Sequence, residues 1–288
     1  AKAVVRDLRP DEPVILNRPH AARRAARFFV ERFPGKVLYA VKANPAPDLI
    51  EVLWGAGVTH YDVASITEVR LVRGILPDAV LCFMHPVKTP AAIAEAYFDH
   101  GVRTFSLDTY EELEKIVEAC TDPATGEPAR DLRLCVRLRV SSEYSELSLA
   151  SKFGCDLIEA PQLLQQARQH CDWLGVCFHV GSQAMTPFAF VQALDRTRAA
   201  IAEASVVIDM IDVGGGFPST YPGLEPPPME DYFAIIAKHF ENLPIAYNAE
   251  LWCEPGRALS AEYSSMIVQV NKRRGEELYI NDGAYGAL

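Results

Sequence analysis

Long apolar runs are missing from this sequence. No stretch approaches the ~20 consecutive apolar residues that a membrane-spanning helix requires, and residues 1–7 lack the apolar centre of a secretory signal peptide. Positive charge is also scarce, because 28 Lys and Arg stand against 38 Asp and Glu and give a net charge of −10. This balance argues against nucleic acid or an anionic membrane surface as the main partner.

Paired cysteines are missing as well. The 7 cysteines are odd in number, and no two have the Cys-x-x-Cys spacing of a zinc knuckle. Cys82, Cys135 and Cys177 lie within apolar runs, where a free thiol packs as a small hydrophobic group. No further histidine or cysteine has ligand spacing to His85 and His179, so we predict no metal site. We expect a reducing, cytoplasmic environment.

The sequence does contain a regular alternation of short apolar strands and helical stretches along its 288 residues. Eight strands alternating with helices indicate an α/β fold, a parallel sheet closed into a (β/α)8 TIM-type barrel. An open doubly wound sheet is the alternative, but no Gly-x-Gly-x-x-Gly follows the first strand. The predicted strands are 37–43, 60–65, 80–86, 104–109, 132–140, 176–182, 210–215 and 249–254, and the first helix is predicted over 19–33.

The character of the sequence changes after Arg257. Residues 263–271 and 277–281 are predicted as two strands joined by a polar turn at 272–275, with no helix indicated. We predict a barrel domain at 18–258, and an all-β unit formed by 259–288 together with 1–17, which hold one short strand at 14–16. A strand pair at a chain end is poorly stable alone, so we expect this unit to be incomplete and further residues to follow Leu288.

Lys42 stands near the end of the first barrel strand, just before the Asn44-Pro45 turn. A buried lysine is costly unless it has a partner or a function. Burial also lowers the pKa of a lysine, and a neutral amine can attack a carbonyl carbon. The alternative is a side chain that extends from the strand end into water.

Other polar residues are concentrated at the C-terminal ends of the predicted strands, where barrels of this kind carry catalytic residues. A glycine triplet follows the seventh strand, and backbone without Cβ atoms can approach a ligand closely, as a phosphate site requires. A flexible turn is the alternative for such a triplet. The residues at these ends are Lys42, Asp62, Ser65, His85, Arg137, His179, Ser182, Gly214, Gly215, Gly216, Glu254 and Arg257.

Two of these residues have both structural and functional interpretations. His179 is either a satisfied core residue or a ligand-facing ring that stacks on a flat group or moves a proton. Glu254 is either paired with Arg137 or Arg257, or holds a proton on a heterocyclic nitrogen. A lysine, a phosphate-type glycine loop, a histidine and a carboxylate on one rim fit pyridoxal phosphate.

Six motifs follow one another along nearly the whole chain. They are Tyr-Ala-Val-Lys-Ala-Asn (39–44), Tyr-Asp-Val-Ala-Ser (61–65), His-Val-Gly-Ser-Gln (179–183), Gly-Gly-Gly-Phe-Pro (214–218), Glu-Pro-Gly-Arg (254–257) and Asp-Gly-Ala-Tyr-Gly (282–286). Together they resemble the fold-type III pyridoxal-phosphate-dependent decarboxylases of ornithine, lysine, arginine or diaminopimelate, which have an alanine-racemase-like architecture. Residues 83–88 and 151–154 resemble the bacterial ornithine or lysine/ornithine decarboxylases in particular.

The resemblance implies a role for each matching residue. Lys42 would form the Schiff base with the cofactor, His179 would stack on its ring, and Glu254 would pair with its pyridinium nitrogen. Tyr285 would approach the mouth of the site. The remaining cofactor-binding and supporting residues would be Asp62, Glu68, Arg137, Ser182, Gly214, Gly215, Gly216, Gly256 and Arg257.

The implied reaction is decarboxylation of L-ornithine to putrescine and CO2, with L-lysine as a second substrate, in polyamine biosynthesis. The alternatives are a diaminopimelate or arginine decarboxylase of the same fold, a racemase with a second base opposite Lys42, and an inactive regulatory protein of this fold. The family forms homodimers with shared active sites, each completed by a Cys-Asp motif of the partner. We expect that motif after Leu288, and none of the present cysteines takes its role.

Overall fold

Strands and helices alternate along most of the chain in the computed structural model, which describes residues 1–147, 152–245, 247–283 and 286. The strands are β1 (Val14–Asn17), β2 (Lys36–Ala40), β3 (His60–Val63), β4 (Val80–Phe83), β5 (Thr104–Leu107), β6 (Arg133–Arg137), β7 (Ser145–Leu147), β8 (Trp173–Cys177), β9 (Ser182–Ala184), β10 (Met210–Asp212), β11 (Glu250–Cys253), β12 (Ser264–Ile267), β13 (Val270–Arg274) and β14 (Glu277–Ile280). The helices are α1 (Lys2–Leu8), α2 (Pro19–Arg32), α3 (Pro47–Trp54), α4 (Ile66–Ile75), α5 (Pro90–Phe98), α6 (Tyr110–Ala119), α7 (Ala160–Arg168), α8 (Phe188–Ala204), α9 (Met229–Glu241) and α10 (Arg257–Ser260).

Eight of the strands close into a parallel barrel in the order β10-β11-β2-β3-β4-β5-β6-β8. The predicted (β/α)8 barrel is therefore confirmed. Successive side chains of a strand point to opposite faces, so Val37 and Tyr39 pack outward among the helices while Leu38 points into the barrel. The inner layer consists of Leu38, Cys82, Met84, Cys135, Cys177, Met210 and Trp252.

Local sequence signals explain where the helices begin. Pro19 lies in the first turn of α2, where its missing N–H costs nothing. Ser65 caps α4, because its hydroxyl accepts a hydrogen bond from the Glu68 backbone N–H at 3.3 Å. The Glu68 carboxylate in turn accepts from the Ala64 N–H at 2.7 Å, so both side chains satisfy donors at the helix start. These two hydrogen bonds fix the start of α4 directly after the end of β3.

The barrel strands end earlier than the sequence analysis predicted. Strand β2 ends at Ala40, β4 at Phe83 and β8 at Cys177, whereas the apolar patterns predicted ends at 43, 86 and 182. The chain leaves the sheet at these points because the next residues turn to form the rim. Helix α1 was not predicted, and none of its side chains is buried, so it lacks the apolar stripe that marks an amphipathic helix.

The strands outside the barrel rim lie in antiparallel pairs. Strand β1 pairs with β12, and β13 forms a hairpin with β14. The predicted single strand over 263–271 is wrong, because it is divided between β12 and β13. The predicted turn at 272–275 is also wrong, since 272–274 belong to β13 and the chain reverses at Gly275 with φ 58°. All of β13 is exposed, so no apolar alternation marked it.

Within the described ranges of the chain, no helix combines the length and apolar character needed to cross a bilayer.

Candidate active site

Lys42 lies on a single 3-10 turn, Val41–Ala43, that follows β2 rather than on the strand itself. The turn is held from below by the Tyr39 hydroxyl, which donates to the Asn44 carbonyl at 2.9 Å. Asn44 is extended because proline follows it, and its side-chain Oδ1 accepts from the Ala46 N–H at 3.1 Å. The Asn44-Pro45 sequence thus ends the turn and aims Lys42 over the barrel mouth.

The Lys42 ammonium is paired with Asp62, with 2.8 Å between Nζ and Oδ2. The lysine side chain is 47% exposed as a whole, but its amine lies among the rim side chains, and Asp62 is completely buried. Burial acts to lower the pKa of Lys42, yet the charges of Asp62 and Glu254 outweigh burial and raise that pKa above its ordinary value. The expectation of a lowered pKa is therefore wrong, because it took burial into account without the acidic neighbours of Lys42.

Glu254 lies just after β11 and forms the floor of the site. It is 7% exposed, and its backbone N–H donates to the Gly214 carbonyl at 2.8 Å. Burial, followed by the charges of Asp212 and Asp62, raises the pKa of Glu254 well above its usual range. The alternative pairing with Arg137 or Arg257 is not found, since neither makes an ion pair with Glu254 among the described residues.

Asp212 was not singled out from the sequence, although it lies against Glu254. It is fully buried at the end of β10, and its Oδ1 accepts from the Gly214 N–H at 2.7 Å. Its Oδ2 has no hydrogen-bond partner among the described residues, and the same is true of Asp62 Oδ1. Burial first, and then Cys177, raises the pKa of Asp212 to about 8. A carboxylate in an otherwise apolar strand was the signal that could have identified it.

His179 follows β8 and lies against the glycine loop. Its Nδ1 accepts from the Gly181 N–H at 3.0 Å, so the neutral ring carries its proton on Nε2. Burial, reinforced by Arg137 and Lys42, lowers its pKa well below the ordinary value. A Cβ on Gly215 would lie 3.0 Å from Nε2, so any other residue at this position would displace the imidazole ring.

Arg257, Ser182 and Tyr221 form the other end of the site. The guanidinium of Arg257 donates to the Ser182 hydroxyl from Nη2 at 3.0 Å and to the Tyr221 hydroxyl from Nη1 at 3.0 Å. Beside them, Gly216 adopts φ 104°, and a Cβ there would lie 2.4 Å from the Gly181 carbonyl oxygen. This end therefore offers a positive charge, hydroxyl groups and open backbone, which suit an anion.

Gln183 fixes the far part of the glycine loop. It has a left-handed backbone, with φ 60°, although it is not glycine. Its side-chain Oε1 accepts from the Ser219 N–H at 3.0 Å, and its amide nitrogen donates to the Ser219 carbonyl. Gln183 was predicted only as part of a motif and Tyr221 was not predicted at all, because a contact between distant loops leaves no local sequence pattern.

A cavity of about 210 Å³ joins these groups. It is lined by Ala40, Lys42, Ala43, His179, Ser182, Gly215, Gly216, Phe217, Glu254, Gly256 and Arg257. Asp62 and Gly214 are not part of this lining but hydrogen-bond to Lys42 and Asp212, respectively. Arg137 lies over the ring of Phe153 at 5.3 Å. His85 does not line the cavity, and its ring lies 5.1 Å from that of Phe153. Tyr285 and Ser151 lie outside the described residues.

The donor groups of the cavity fit a flat heterocycle with a phosphate. An amine that can bond a carbonyl carbon, a buried acid and an anion-binding end are present in a single space. The three glycines leave room where side chains would otherwise fill it. This is the set of groups that pyridoxal phosphate requires.

Comparisons with known proteins agree with that chemistry. Residues 20–261 match the family model described as "Pyridoxal-dependent decarboxylase, pyridoxal binding domain". The lysine/ornithine decarboxylase of Selenomonas ruminantium is 31% identical over 264 residues, covering 88% of this chain and 63% of that protein. Antizyme inhibitor 2 of Xenopus laevis is 28% identical, covering 92% of this chain and 60% of its own length.

A solved structure extends the comparison to the fold. The lysine/ornithine decarboxylase of Vibrio vulnificus, complexed with putrescine, is 28% identical with a TM-score of 0.79, over 99% of this chain and 75% of that one. This chain spans about 60% of the length of the curated relatives that it matches. The family match covers most of its residues, so the chain belongs to the pyridoxal-phosphate-dependent decarboxylases, and pyridoxal phosphate is its cofactor.

Proposed function

We propose that this chain carries the cofactor-binding part of an enzyme that decarboxylates a basic amino acid, L-ornithine first and L-lysine second. The observation that carries the proposal is one cavity with Lys42 and Glu254 on its walls and Arg257 at its anion-binding end. The choice of substrate is supported by the Selenomonas ruminantium relative, a lysine/ornithine decarboxylase, and by the Vibrio vulnificus structure with its bound putrescine. The products would be CO2 and a diamine.

Lys42 is the residue that we assign to covalent attachment. When bound, pyridoxal phosphate supplies a carbonyl group for amines and a ring that accepts the electrons of the breaking bond. The Lys42 Nζ must lose a proton before it can bond carbon. Asp62, whose Oδ2 lies 2.8 Å away, can orient the amine and accept that proton. Glu68 of α4 and Arg137 of β6 lie close enough to interact electrostatically with this pair.

Glu254 and His179 are assigned to the ring. Burial raises the pKa of Glu254, so its carboxyl group can supply a proton to a ring nitrogen and would stay against it as a carboxylate. His179 stays neutral because of its lowered pKa, so its face can stack on a positively charged ring without repulsion. Both assignments follow from burial at the barrel mouth.

Arg257, Ser182 and the backbone of Gly214, Gly215, Gly216 and Gly256 are assigned to the phosphate. A guanidinium binds phosphate oxygens through charge-assisted hydrogen bonds. Tyr221 and Ser182 orient that guanidinium through the hydrogen bonds that they accept from it. Little side-chain ordering would therefore remain when the phosphate binds.

Assembly and location are part of the same proposal. We infer that residues 18–258 form the barrel domain, that 1–17 and 259–288 belong to an all-β unit, and that two copies share active sites in a homodimer. The antiparallel pairing of β1 with β12 supports the grouping of the two chain ends. Seven buried, unpaired cysteines agree with the reducing interior of a cell.

A regulatory protein without activity is the second candidate, since antizyme inhibitor 2 is among the relatives. The presence of Lys42, His179 and Glu254 in one cavity favours the enzyme. Colour separates the two candidates, because a protein with cofactor bonded to lysine absorbs visible light and a protein that binds no cofactor does not.

The experiment that tests the substrate is a direct product assay. The full-length protein is incubated separately with ornithine, lysine, arginine and meso-diaminopimelate, and released CO2 and amine products are measured. We expect turnover of ornithine to exceed that of lysine, with little from the other two. Turnover of diaminopimelate alone would overturn the ornithine assignment while leaving the cofactor assignment intact.

A further inference from the structure

Asp212 occupies a position that the proposed roles do not explain. It lies on the inner face of β10, because Ile211 and Val213 pack outward among the helices. Its pairing with Trp252 on β11 brings it next to Glu254, two residues further along the rim. The two carboxyl groups are close enough to hydrogen-bond, yet they can do so only if one of them is protonated.

The unpartnered oxygen identifies where that proton belongs. Asp212 Oδ1 already accepts from the Gly214 N–H at 2.7 Å, whereas Oδ2 is buried with no partner among the described residues. Every buried polar atom left unpaired is costly. A proton on Oδ2 converts this atom from an unsatisfied acceptor into a donor toward Glu254.

The surroundings of Asp212 also favour its neutral form. Burial, Cys177 from β8 and Asp62 from β3 raise its pKa, whereas the Gly214 N–H and the hydrogen bond with Glu254 act to lower it, and none of these groups is a cation. The thiols of Cys82 and Cys135 face the same interior of the barrel and are themselves buried. An ionised Asp212 would therefore stand beside two other acids in a region from which water is excluded.

We propose that Asp212 is a positioning residue that remains protonated and donates from Oδ2 to the Glu254 carboxylate when Glu254 serves the ring nitrogen of the cofactor. The inference rests on the proposed role of Glu254. With the Asp212 proton in place, Glu254 can be ionised in a buried site without leaving a second bare carboxylate beside it. The raised pKa of Asp212, about 8, agrees with this state at neutral pH.

Asparagine is a close mimic of the proposed state. In Asp212→Asn the amide oxygen can take the Oδ1 position beside Gly214, and the amide NH2 can take the Oδ2 position as a donor. Asp212→Ala removes the donor altogether. Asp209→Asn is the matched control, because Asp209 precedes the same strand at the opposite end of the barrel, where it pairs with Arg168 at 2.7 Å.

The first test reads the proton directly in the full-length protein freed of cofactor. The infrared difference spectrum between wild type and Asp212→Asn at pH 7 should contain the C=O band of a protonated carboxylic acid. A difference that contains the bands of an ionised carboxylate instead would overturn the inference. Asp212→Asn retains the shape of the side chain, so the difference spectrum does not depend on a repacked core.

The second test measures cofactor affinity by equilibrium dialysis with pyridoxal phosphate. We expect Asp212→Asn and Asp209→Asn to bind within about twofold of wild type. Asp212→Ala should bind about 10- to 100-fold more weakly, the scale of a lost hydrogen bond to a charged group. Equal weakening in the Asn and Ala variants would contradict the inference. Neither test uses a substrate, so failure of the ornithine assay leaves them unaffected.

Discussion

At the scale of single residues, the site is governed by three buried carboxyl groups and the cations beside them. Asp62 and Asp212 are completely buried and Glu254 is nearly so, while Lys42 makes its ion pair with Asp62 alone. Acids in such a group cannot all ionise in a dry environment. Asp62 is accordingly paired with the lysine, whereas burial raises the pKa of both Glu254 and Asp212.

Removal of the lysine amine tests the covalent assignment. Lys42→Ala should abolish the visible absorbance of the protein incubated with pyridoxal phosphate, because no amine remains on the cavity wall to bond the cofactor. Product formation should be lost with it. Lys36→Ala is a suitable control, since Lys36 begins β2, the strand that leads to the Lys42 turn, and pairs with Glu250 at 2.8 Å. A borohydride-stable adduct in Lys42→Ala would place the attachment elsewhere.

Replacement of the floor carboxylate tests the role of Glu254. Glu254→Gln preserves the shape and removes the exchangeable carboxyl proton, so kcat should fall by about 10²–10³-fold, equivalent to ~2.7–4 kcal/mol of transition-state stabilisation. Cofactor affinity should fall less than in Asp212→Ala, since the phosphate end is untouched and the introduced amide oxygen can still accept a hydrogen bond from Asp212. Steady-state kinetics and dialysis separate the two effects. An unchanged kcat would mean that Glu254 is structural.

The pKa of Asp212 predicts how stability depends on pH. The folded pKa is raised to about 8, so the folded state holds this proton more tightly than the unfolded chain does. The stabilisation is therefore complete below the unfolded pKa of ~4 and is lost progressively as pH rises toward 8. One such group contributes at most ~1.4 kcal/mol per pH unit.

Urea denaturation of the cofactor-free protein at pH 5.5 and 7.5 provides the measurement. The free energy of unfolding should fall more between these pH values in wild type than in Asp212→Asn, which has no proton to lose. Asp209→Asn should retain the dependence of wild type. Equal pH dependence in wild type and Asp212→Asn would rule out this source.

At the scale of elements, the loop after β10 has its shape imposed by neighbouring strand ends. Gly214 and Gly216 have positive φ, and Gln183 beside them also adopts a left-handed backbone while its amide clamps Ser219. Non-glycine residues in such conformations cost energy that surrounding contacts must offset. The cost is concentrated where the backbone must approach the proposed phosphate.

Substitution of one loop glycine tests this arrangement. Gly216→Ala should weaken pyridoxal phosphate binding at least about tenfold and destabilise the protein by ~1–3 kcal/mol, because it adds left-handed strain and a Cβ 2.4 Å from the Gly181 oxygen. Gly101→Ala is the matched control, with φ 68° and nothing within 4 Å of its Cβ. It should lose some stability and no cofactor affinity. The two measurements are dialysis and urea denaturation.

At the scale of the whole molecule, the barrel gathers residues from distant parts of the sequence onto one rim. Lys42 and Arg257 are more than 200 positions apart, yet they line one cavity because β11 pairs with β2 and closes the barrel. The β13–β14 hairpin is different, since almost all of its residues are exposed. A two-stranded hairpin without a buried face is marginally stable.

Hydrogen exchange should reveal this contrast in the 1–288 chain. Amides of β13 and β14 should exchange by local opening, orders of magnitude faster than those of β11, which open only with the barrel. Mass spectrometry of peptides from the two regions provides the comparison. Equal protection of both regions would contradict it and would indicate that the hairpin face is covered in solution.

Much of the fold was predictable from local sequence. Alternation of apolar runs and helical stretches predicted eight barrel strands, because a strand buried on both faces needs consecutive apolar residues. Motifs such as Gly-Gly-Gly-Phe-Pro predicted a close backbone approach, because only glycine tolerates it. The strand ends, helix α1 and the β13 turn were missed, since rim and surface residues carry no burial pattern.

By itself, the sequence determined the barrel, the family and the residues gathered on the rim, because periodicity, glycine and motif order are properties of neighbouring residues. Only the tertiary structure decided the protonation of those residues. Lys42 keeps a raised pKa because Asp62 arrives from another strand, and the pKa of Asp212 is raised because the barrel buries it beside Cys177 of the neighbouring strand β8. Charge interactions depend on distance in space and on burial, and neither can be read from separation along the chain.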